Sequence, residues 1–479
     1  MSYSKILKST GLLGSVQLLS VLISVVRNKA AAVLIGTVGM GLSDLYARTI
    51  ELLANSTNFG LAVSGVRRLS VLHEAGDRRA VAHHVRLLRT WIFLAALLGA
   101  LLTAALAPLV SLWMGGDLSH TGSVLLLAPA VALTTLTGGE IAVLRGIRRL
   151  KSIAVTSVLV AGFTLLIAVP LYLLWGLRSV TWVILLTTAA TFAVQLAATW
   201  RSFPYRISPL RSRFVRSGLP LLRLGMGYIA AGICSSGAEM LVRTTLTRSA
   251  GGLQAAGLYA VGLTLTVSYA RMVFVAMDAD YFPRLSAACA DHGRQNATVN
   301  AQIDVLVLLM TPLLLLLALC LPFLVRLLYS SEFLPVMPMV LAALPYMYFK
   351  AVYAPAAYLS LAHGDSVTYV VMEVLYDAVF IVAVVAGYRL GGLLGAGIGL
   401  SVANACDLCF IHLTYRRRYG LRLHRATLQL VVVQGLLLSV GLAAAAAGTS
   451  WQHRAVGAAA LLAAALYGLY RLRRQRRKI

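Results

Sequence analysis

The feature that most restricts this chain is a succession of predominantly apolar stretches, each longer than twenty residues and separated by short connections. Leu88–Met114 and Ser152–Gly176 are two of them. A helix needs roughly twenty apolar residues to cross the hydrocarbon core of a bilayer. Inside that core every backbone N–H and C=O must be bonded within the protein, so only helices and closed barrels span it. Barrel strands would alternate polar and apolar residues over roughly ten positions, and no such alternation runs through the sequence. The chain therefore reads as an all-α membrane protein. Its composition agrees, with 59% of 479 residues hydrophobic and 12% charged, against roughly a quarter charged in soluble domains.

Hydropathy places about fourteen spans, roughly at 9–35, 42–65, 89–114, 122–144, 152–175, 179–200, 218–247, 255–282, 302–328, 336–361, 366–388, 392–414, 426–447 and 454–471. The first reads as a span rather than a cleaved leader. Lys5 and Lys8 precede an apolar stretch, and Ala30-Ala31-Ala32 imitates a processing site. Yet Arg27, Asn28 and Lys29 stand directly before it, and further spans follow at once.

The formal charge of +26 would suit a nucleic-acid binder, but its distribution is that of a topology signal. With the N-terminus inside, 31 of the 42 Lys and Arg residues fall in cytoplasmic segments, five in the opposite loops and six within spans. This asymmetry predicts both termini on the cytoplasmic side of the membrane. No aromatic-plus-basic module for reading bases is present, so no nucleic-acid partner is expected. The five cysteines lie in or near apolar segments, and Cys406 with Cys409 lacks the second pair a zinc site needs.

A weak internal repeat emerges when the chain is shifted by 216 residues. Arg27 falls on Arg243, Gly36 on Gly252, Gly41 on Gly257, Leu42 on Leu258, Arg68-Leu69-Ser70 on Arg284-Leu285-Ser286, and Arg78 on Arg294. Six spans separate the copies, so both run in the same direction, a known transporter plan. The expected organisation is an N-terminal six-helix bundle over 1–200, a cytoplasmic linker over 201–217 and a C-terminal six-helix bundle over 218–414. Two extra helices and a basic tail over 415–479 follow. The two bundles would be pseudo-symmetric around a central cavity.

Ionisable residues inside spans are costly unless they face water or a partner. The basic ones are Arg27, Lys29, Arg48, Arg243, Arg271 and Lys350. Arg48 and Glu51 are three apart, and Glu239 and Arg243 four apart, so each pair can close on one helix face or open to a cavity. Arg27, Lys29, Arg271 and Lys350 have no acid at such spacing, and an anionic ligand is one way to satisfy them. Snorkelling is the other account of Arg27 and Lys29, late in their span. Lys350 stands between Pro345 and Pro355 with Tyr346, Tyr348 and Tyr353 nearby, a bendable stretch suited to a sugar. Glu373 and Asp377 are four apart, and Asp407 follows in the next span beside Asn404. These three are candidates for coupling to H+ or Na+, or for pairing with Lys350. No catalytic constellation, metal-ligand cluster or nucleotide-binding loop is found, so neither a catalytic residue nor a resident cofactor is expected.

The chain resembles the Wzx-type flippases of O-antigen and related polysaccharides, within the superfamily that also holds the multidrug exporters and lipid II flippases. The resemblance rests on Arg27 to Gly36 running into Gly39-Met-Gly41-Leu42, Leu144-Arg-Gly-Ile-Arg148, Tyr281-Phe-Pro-Arg-Leu285 and Leu327 to Phe333. Glu373 with Met372 and Val374, and Gly392 to Asn404, complete it. It implies an antiporter that moves undecaprenyl-pyrophosphate-linked oligosaccharide for lipopolysaccharide assembly, with membrane lipids, a polysaccharide polymerase and a chain-length regulator as partners. It also implies that Arg27 or Lys29 and Arg243 are cavity cations and that Glu373 is an ion-responsive carboxylate. Two other readings are a cation-coupled multidrug-type exporter and an integral-membrane polysaccharide polymerase or transferase. The exporter would favour carboxylates in its cavity. The enzyme would carry a large periplasmic loop or interfacial catalytic residues.

Overall fold

The computed structural model of the chain describes residues 3–207, 232–268, 271–448 and 450–476, and among them the regular structure is helical with no strand. Eight segments of the described residues are long and apolar enough to cross a membrane. Some of these segments hold more than one span. Helix α1 (Tyr3–Thr57) and α12 (Ser366–Arg418) contain 55 and 53 residues. As straight rods they would be roughly 80 Å long, far beyond a hydrocarbon core of about 30 Å. α1 breaks at Gly36, with φ 62° and ψ −165°. α12 breaks at Gly391 and Gly392, the latter at φ 58°. There the chain doubles back, because Gly395 lies against the backbone of Gly387 and Gly399 against that of Ala383. Both pairs are centred on Gly391, as in an antiparallel helical hairpin.

Between these lie α2 (Leu61–Glu74), α3 (Arg78–Gly115), α4 (Thr121–Gly146), α5 (Leu150–Trp175), α6 (Val180–Trp200), α7 (232–247), α8 (Gly252–Leu263), α9 (Arg271–Ala288), α10 (His292–Leu328) and α11 (Met337–Ala362). The chain closes with α13 (Arg425–Ala447) and α14 (Trp451–Arg476). Two expected spans are divided. The one read over 42–65 stops at Thr57, where Asn58 Oδ1 accepts the Gly60 N–H at 2.8 Å. Phe59 and Gly60 both turn left-handed. The polar run Asn55-Ser56-Thr57-Asn58 offers the backbone alternatives to the helical ladder. The one read over 255–282 is interrupted by a π turn at Thr264–Ser268.

The chain divides into two compact units, Met1–Gly257 with Leu328–Ser330, and Leu258–Leu327 with Ser331–Ile479. In the first, α4 packs on α1, α2, α3 and α6, and α1 on α5. One core gathers Leu45, Tyr46, Met114, Leu127, Val131 and Met240, and a second gathers Leu61, Leu69, Leu88 and Val143. In the second unit α11 packs against α12, α13 and α9. Leu315 and Leu319 of α10 fill the places left by Gly441 on α13 and Gly457 on α14. Gln295, Asn296 and Asn300 of α10 donate to the carbonyls of Tyr419 (2.9 Å), Gly420 (3.0 Å) and Arg422 (2.9 Å), tying down the turn before α13.

The 216-residue spacing reappears in the backbone. Left-handed residues pair at that interval: Gly36 with Gly252, Arg148 with Gly364, and Gly176 with Gly392, all with φ between 52° and 72°. Within the first unit Gly41 faces the Leu253 carbonyl and Gly257 faces the Thr37 carbonyl. Thr37 and Leu253 are themselves 216 apart, so the contact is reciprocal.

Asp365 caps α12 by accepting from the Thr368 N–H at 3.0 Å and its hydroxyl at 2.8 Å. It also accepts from the Tyr419 hydroxyl at 2.8 Å and pairs with Arg418 at 2.7 Å. The Thr368 and Tyr419 donors hold its carboxyl well below the usual carboxylate range. A depressed folded-state pKa gives stability that is complete above about pH 4 and drains as pH falls through the lowered value. The protection of backbone amides at the start of α12, taken relative to their intrinsic exchange rates, should therefore fall below that pH. Asp365→Asn, which still caps, should remove the dependence, and equal slopes for both proteins would disprove this account.

Candidate functional site

Three groups of charged side chains are built into the helices. The first lies in the first unit, where Asp44, Arg48 and Glu51 recur at helical spacing on the second half of α1. Arg48 reaches Glu51 at 2.8 Å and Asp44 at 3.5 Å. Facing them on α7 is Arg243, 1% exposed, which pairs with both Asp44 and Glu239 and donates to the Glu239 carbonyl at 3.0 Å. Beyond this layer Thr49 meets the Met240 sulfur and Asn55 donates to Ser236 at 2.8 Å. The descending partner numbers show that α7 runs antiparallel to this part of α1.

The two pairings that the spacing allowed, Arg48 with Glu51 and Glu239 with Arg243, are both formed, and Asp44 is a further partner of each arginine. Both are held by carboxylates, and Arg243 is sealed from solvent. The group sets three acids against two bases. Asp44 is the partner that sequence reasoning missed. Its signal was the Asp44–Arg48 spacing of four with the acid first, hidden because Asp44 falls near a span boundary.

Arg27 and Lys29, on the first half of α1, are arranged differently. Arg27 donates to Asn28 Oδ1 at 3.1 Å, with Tyr172 and Tyr329 close by. Among the described residues no carboxylate pairs with it. Lys29 donates to the Tyr329 carbonyl.

The second group lies within the second unit. Lys350 of α11 sits over the rings of Tyr346 and Phe274, at 5.8 and 5.9 Å. It interacts electrostatically with Glu373 on the first half of α12 and Asp407 on the second. Asp407 also meets the Tyr353 hydroxyl, which donates to Asn404 Oδ1 at 2.9 Å. The buried Asn404 amide reaches the Tyr376 hydroxyl at 3.3 Å. Asp377, one turn beyond Glu373, is buried too. The hairpin in α12 is what brings Glu373 and Asp407 to the same lysine. Among the described side chains Lys350 faces two carboxylates, Glu373 and Asp407. The Arg271 side chain lies outside the described residues.

The third group joins α3, α4 and α6. Arg89 forms a two-pronged bond to Glu140 at 2.8 and 2.6 Å. It also donates to Thr199 at 3.0 Å and the Phe203 carbonyl at 2.8 Å. The Tyr205 ring lies 4.9 Å away, and burial together with the Glu140 charge pushes its phenol above the ordinary range. Arg89 stands at the start of the span read over 89–114. It is 3% exposed and serves as a tie between helices.

A family model described as polysaccharide biosynthesis protein matches residues 64–338. No curated protein matches the sequence. Among solved structures, the lipid II flippase MurJ in an inward closed conformation aligns with a TM-score of 0.72 at 13% identity, covering 97% of this chain and 99% of its own. An inward-facing multidrug resistance MATE family transporter of the MOP superfamily gives 0.65 at 13% identity, covering 85% and 94%. A MOP superfamily transporter from Pyrococcus furiosus, whose reverse-polarity binding pocket suggests a different function, gives 0.61 at 14% identity, covering 85% and 94%. At these identities the likeness is one of fold.

Proposed function

This chain belongs to the polysaccharide biosynthesis protein family, and from that membership we propose that it is an inner-membrane flippase for lipid-linked oligosaccharide. Its substrate class is an undecaprenyl pyrophosphate carrying a sugar repeat unit, moved from the cytoplasmic to the periplasmic leaflet by ion-coupled alternating access. The observation that carries the reading is Arg27, a guanidinium inside a span with no carboxylate partner among the described residues. An intramembrane cation calls for a counter-charge, and a pyrophosphate supplies one through charge-assisted bonds. Lys29, two residues on, would share it. Glu373 and Asp407 both face Lys350, and a group of two carboxylates on one ammonium can take up a proton or Na+, which makes these two, with Asp377 one turn from Glu373, the candidates for coupling. The basic residues of the short connections support cytoplasmic termini.

Arg27→Ala is expected to abolish surface polysaccharide while leaving the protein in the membrane, and Lys350→Ala to reduce it strongly. Glu373→Gln should alter how transport responds to the ion gradient. Wild-type polysaccharide in Arg27→Ala and Arg27→Ala/Lys29→Ala would overturn the anion-binding role. A second reading draws on the excess of acids over bases among the described side chains around Arg243 and Lys350, which favours a cationic substrate, as in a multidrug-type exporter. Raised resistance to cationic drugs on expression, with no effect on polysaccharide, would decide for it.

A further inference from the structure

The first unit carries a second, separate combination of charge and apolar surface. At the end of the unit where α3 begins and α6 stops, a cavity of about 770 Å³ is lined by Arg78, Arg86, Arg149, Arg201 and Arg206, with the Arg89–Glu140 tie at its wall. None of the five has an ion-pair partner among the described residues. The nearby acids are already used. Asp77 accepts the N–H groups of Arg79 (3.0 Å) and Ala80 (2.9 Å), and Glu74 pairs with Arg148. The sequence over 208–231 contains no Asp or Glu.

A groove of about 760 Å³ starts two residues along α5 from Arg149 and three residues back along α6 from Arg201. Its upper edge is Lys151 and Ser152, and Val155, Leu159 and Phe163 continue it down α5 opposite Ala193 and Ala197 of α6. Lys151 to Phe163 spans roughly 18 Å of helix, about one leaflet of a hydrocarbon core near 30 Å thick. The groove is open to the outside of the unit, since Val155, Leu159 and Phe163 are 45–52% exposed.

We propose that these two features form one binding site for an anionic glycerophospholipid of the surrounding leaflet. Its phosphate lies among the arginines and an acyl chain lies along α5 and α6. Basic pockets beside membrane helices bind such headgroups, and the outward-facing groove is supplied directly by the bilayer, whose lipids surround it at very high local concentration. The site does not depend on the flippase reading, because neither Arg27, Lys29 nor the Lys350 group contributes to it.

The test is native mass spectrometry of the purified full-length protein titrated with phosphatidylglycerol or phosphatidylcholine. The wild type should retain one phosphatidylglycerol at a concentration at least tenfold below that needed for phosphatidylcholine. Arg149→Gln/Arg201→Gln/Arg206→Gln should lose that preference, and the corresponding triple Lys variant, which keeps the charge, should retain it. Ala193→Trp, which fills the exposed groove, should lose the bound lipid with the arginines intact. Equal retention of both lipids, or an unaffected Gln variant, would overturn the proposal. So would displacement by inorganic pyrophosphate combined with no effect of Ala193→Trp, which would mark a free-phosphate site. Undecaprenyl pyrophosphate displacing phosphatidylglycerol at equimolar concentration would reassign the site to the transported lipid.

Discussion

Arg89→Ala is expected to lower stability by about 3–5 kcal/mol, as breakage of a buried ion pair does when one charge is left behind. The guanidinium is 3% exposed and holds Glu140 with two bonds. Its remaining N–H groups satisfy Thr199 and the carbonyls of Phe203 and Pro204. Removing it leaves the Glu140 carboxylate among α3, α4 and α6 with a single hydroxyl partner, Thr199. Thermal unfolding in detergent should show the loss. The double replacement Arg89→Met/Glu140→Leu should recover most of it, since an apolar pair of similar volume avoids the stranded charge. A single mutant that melts with the wild type would show that the pair contributes nothing.

Arg243→Ala should cost less, about 1–3 kcal/mol, because the carboxylates it leaves behind are part-exposed. It leaves Asp44, Glu51 and Glu239 around Arg48 alone, three negative charges against one. The expected result is a fall in membrane-inserted protein and in melting temperature, partly reversed by Asp44→Asn in the same chain. The two residues share one network, so their effects should not add. This outcome separates a structural arginine from a substrate-binding one. If Arg243→Ala kept its full stability but lost transport, the arginine would have to contact substrate, and its burial between two carboxylates would need to open during the cycle.

The helical character of the chain was readable because it is a one-dimensional property. Runs of apolar residues meet a bilayer of known thickness, and the answer does not depend on which helix packs on which. The division of α12 was readable in the same way, since Gly391-Gly392 separates two apolar runs. The end of the second span at Thr57 was not. Leu61 and Val63 kept the hydropathy high, while the side chain of Asn58 turned the backbone. The 216-residue repeat was faint in side chains but clear in the left-handed positions. Arg148 and Gly364 share a positive φ without sharing a residue type, because backbone geometry persists after side chains have diverged.

The same contrast holds for the charges. The sequence by itself determined which ionisable groups lie in apolar surroundings, that two pairs stand at helical spacing, and that the basic excess gathers in the connections. Only the tertiary structure decided who meets whom. It gave Arg243 to Asp44, 199 residues away, gave Arg89 to Glu140, and set Lys350 between two halves of a hairpin. Spacing along a helix reports partners on that helix alone. Coulomb energy inside a membrane depends on the distance between side chains of different helices, and that distance is set by packing.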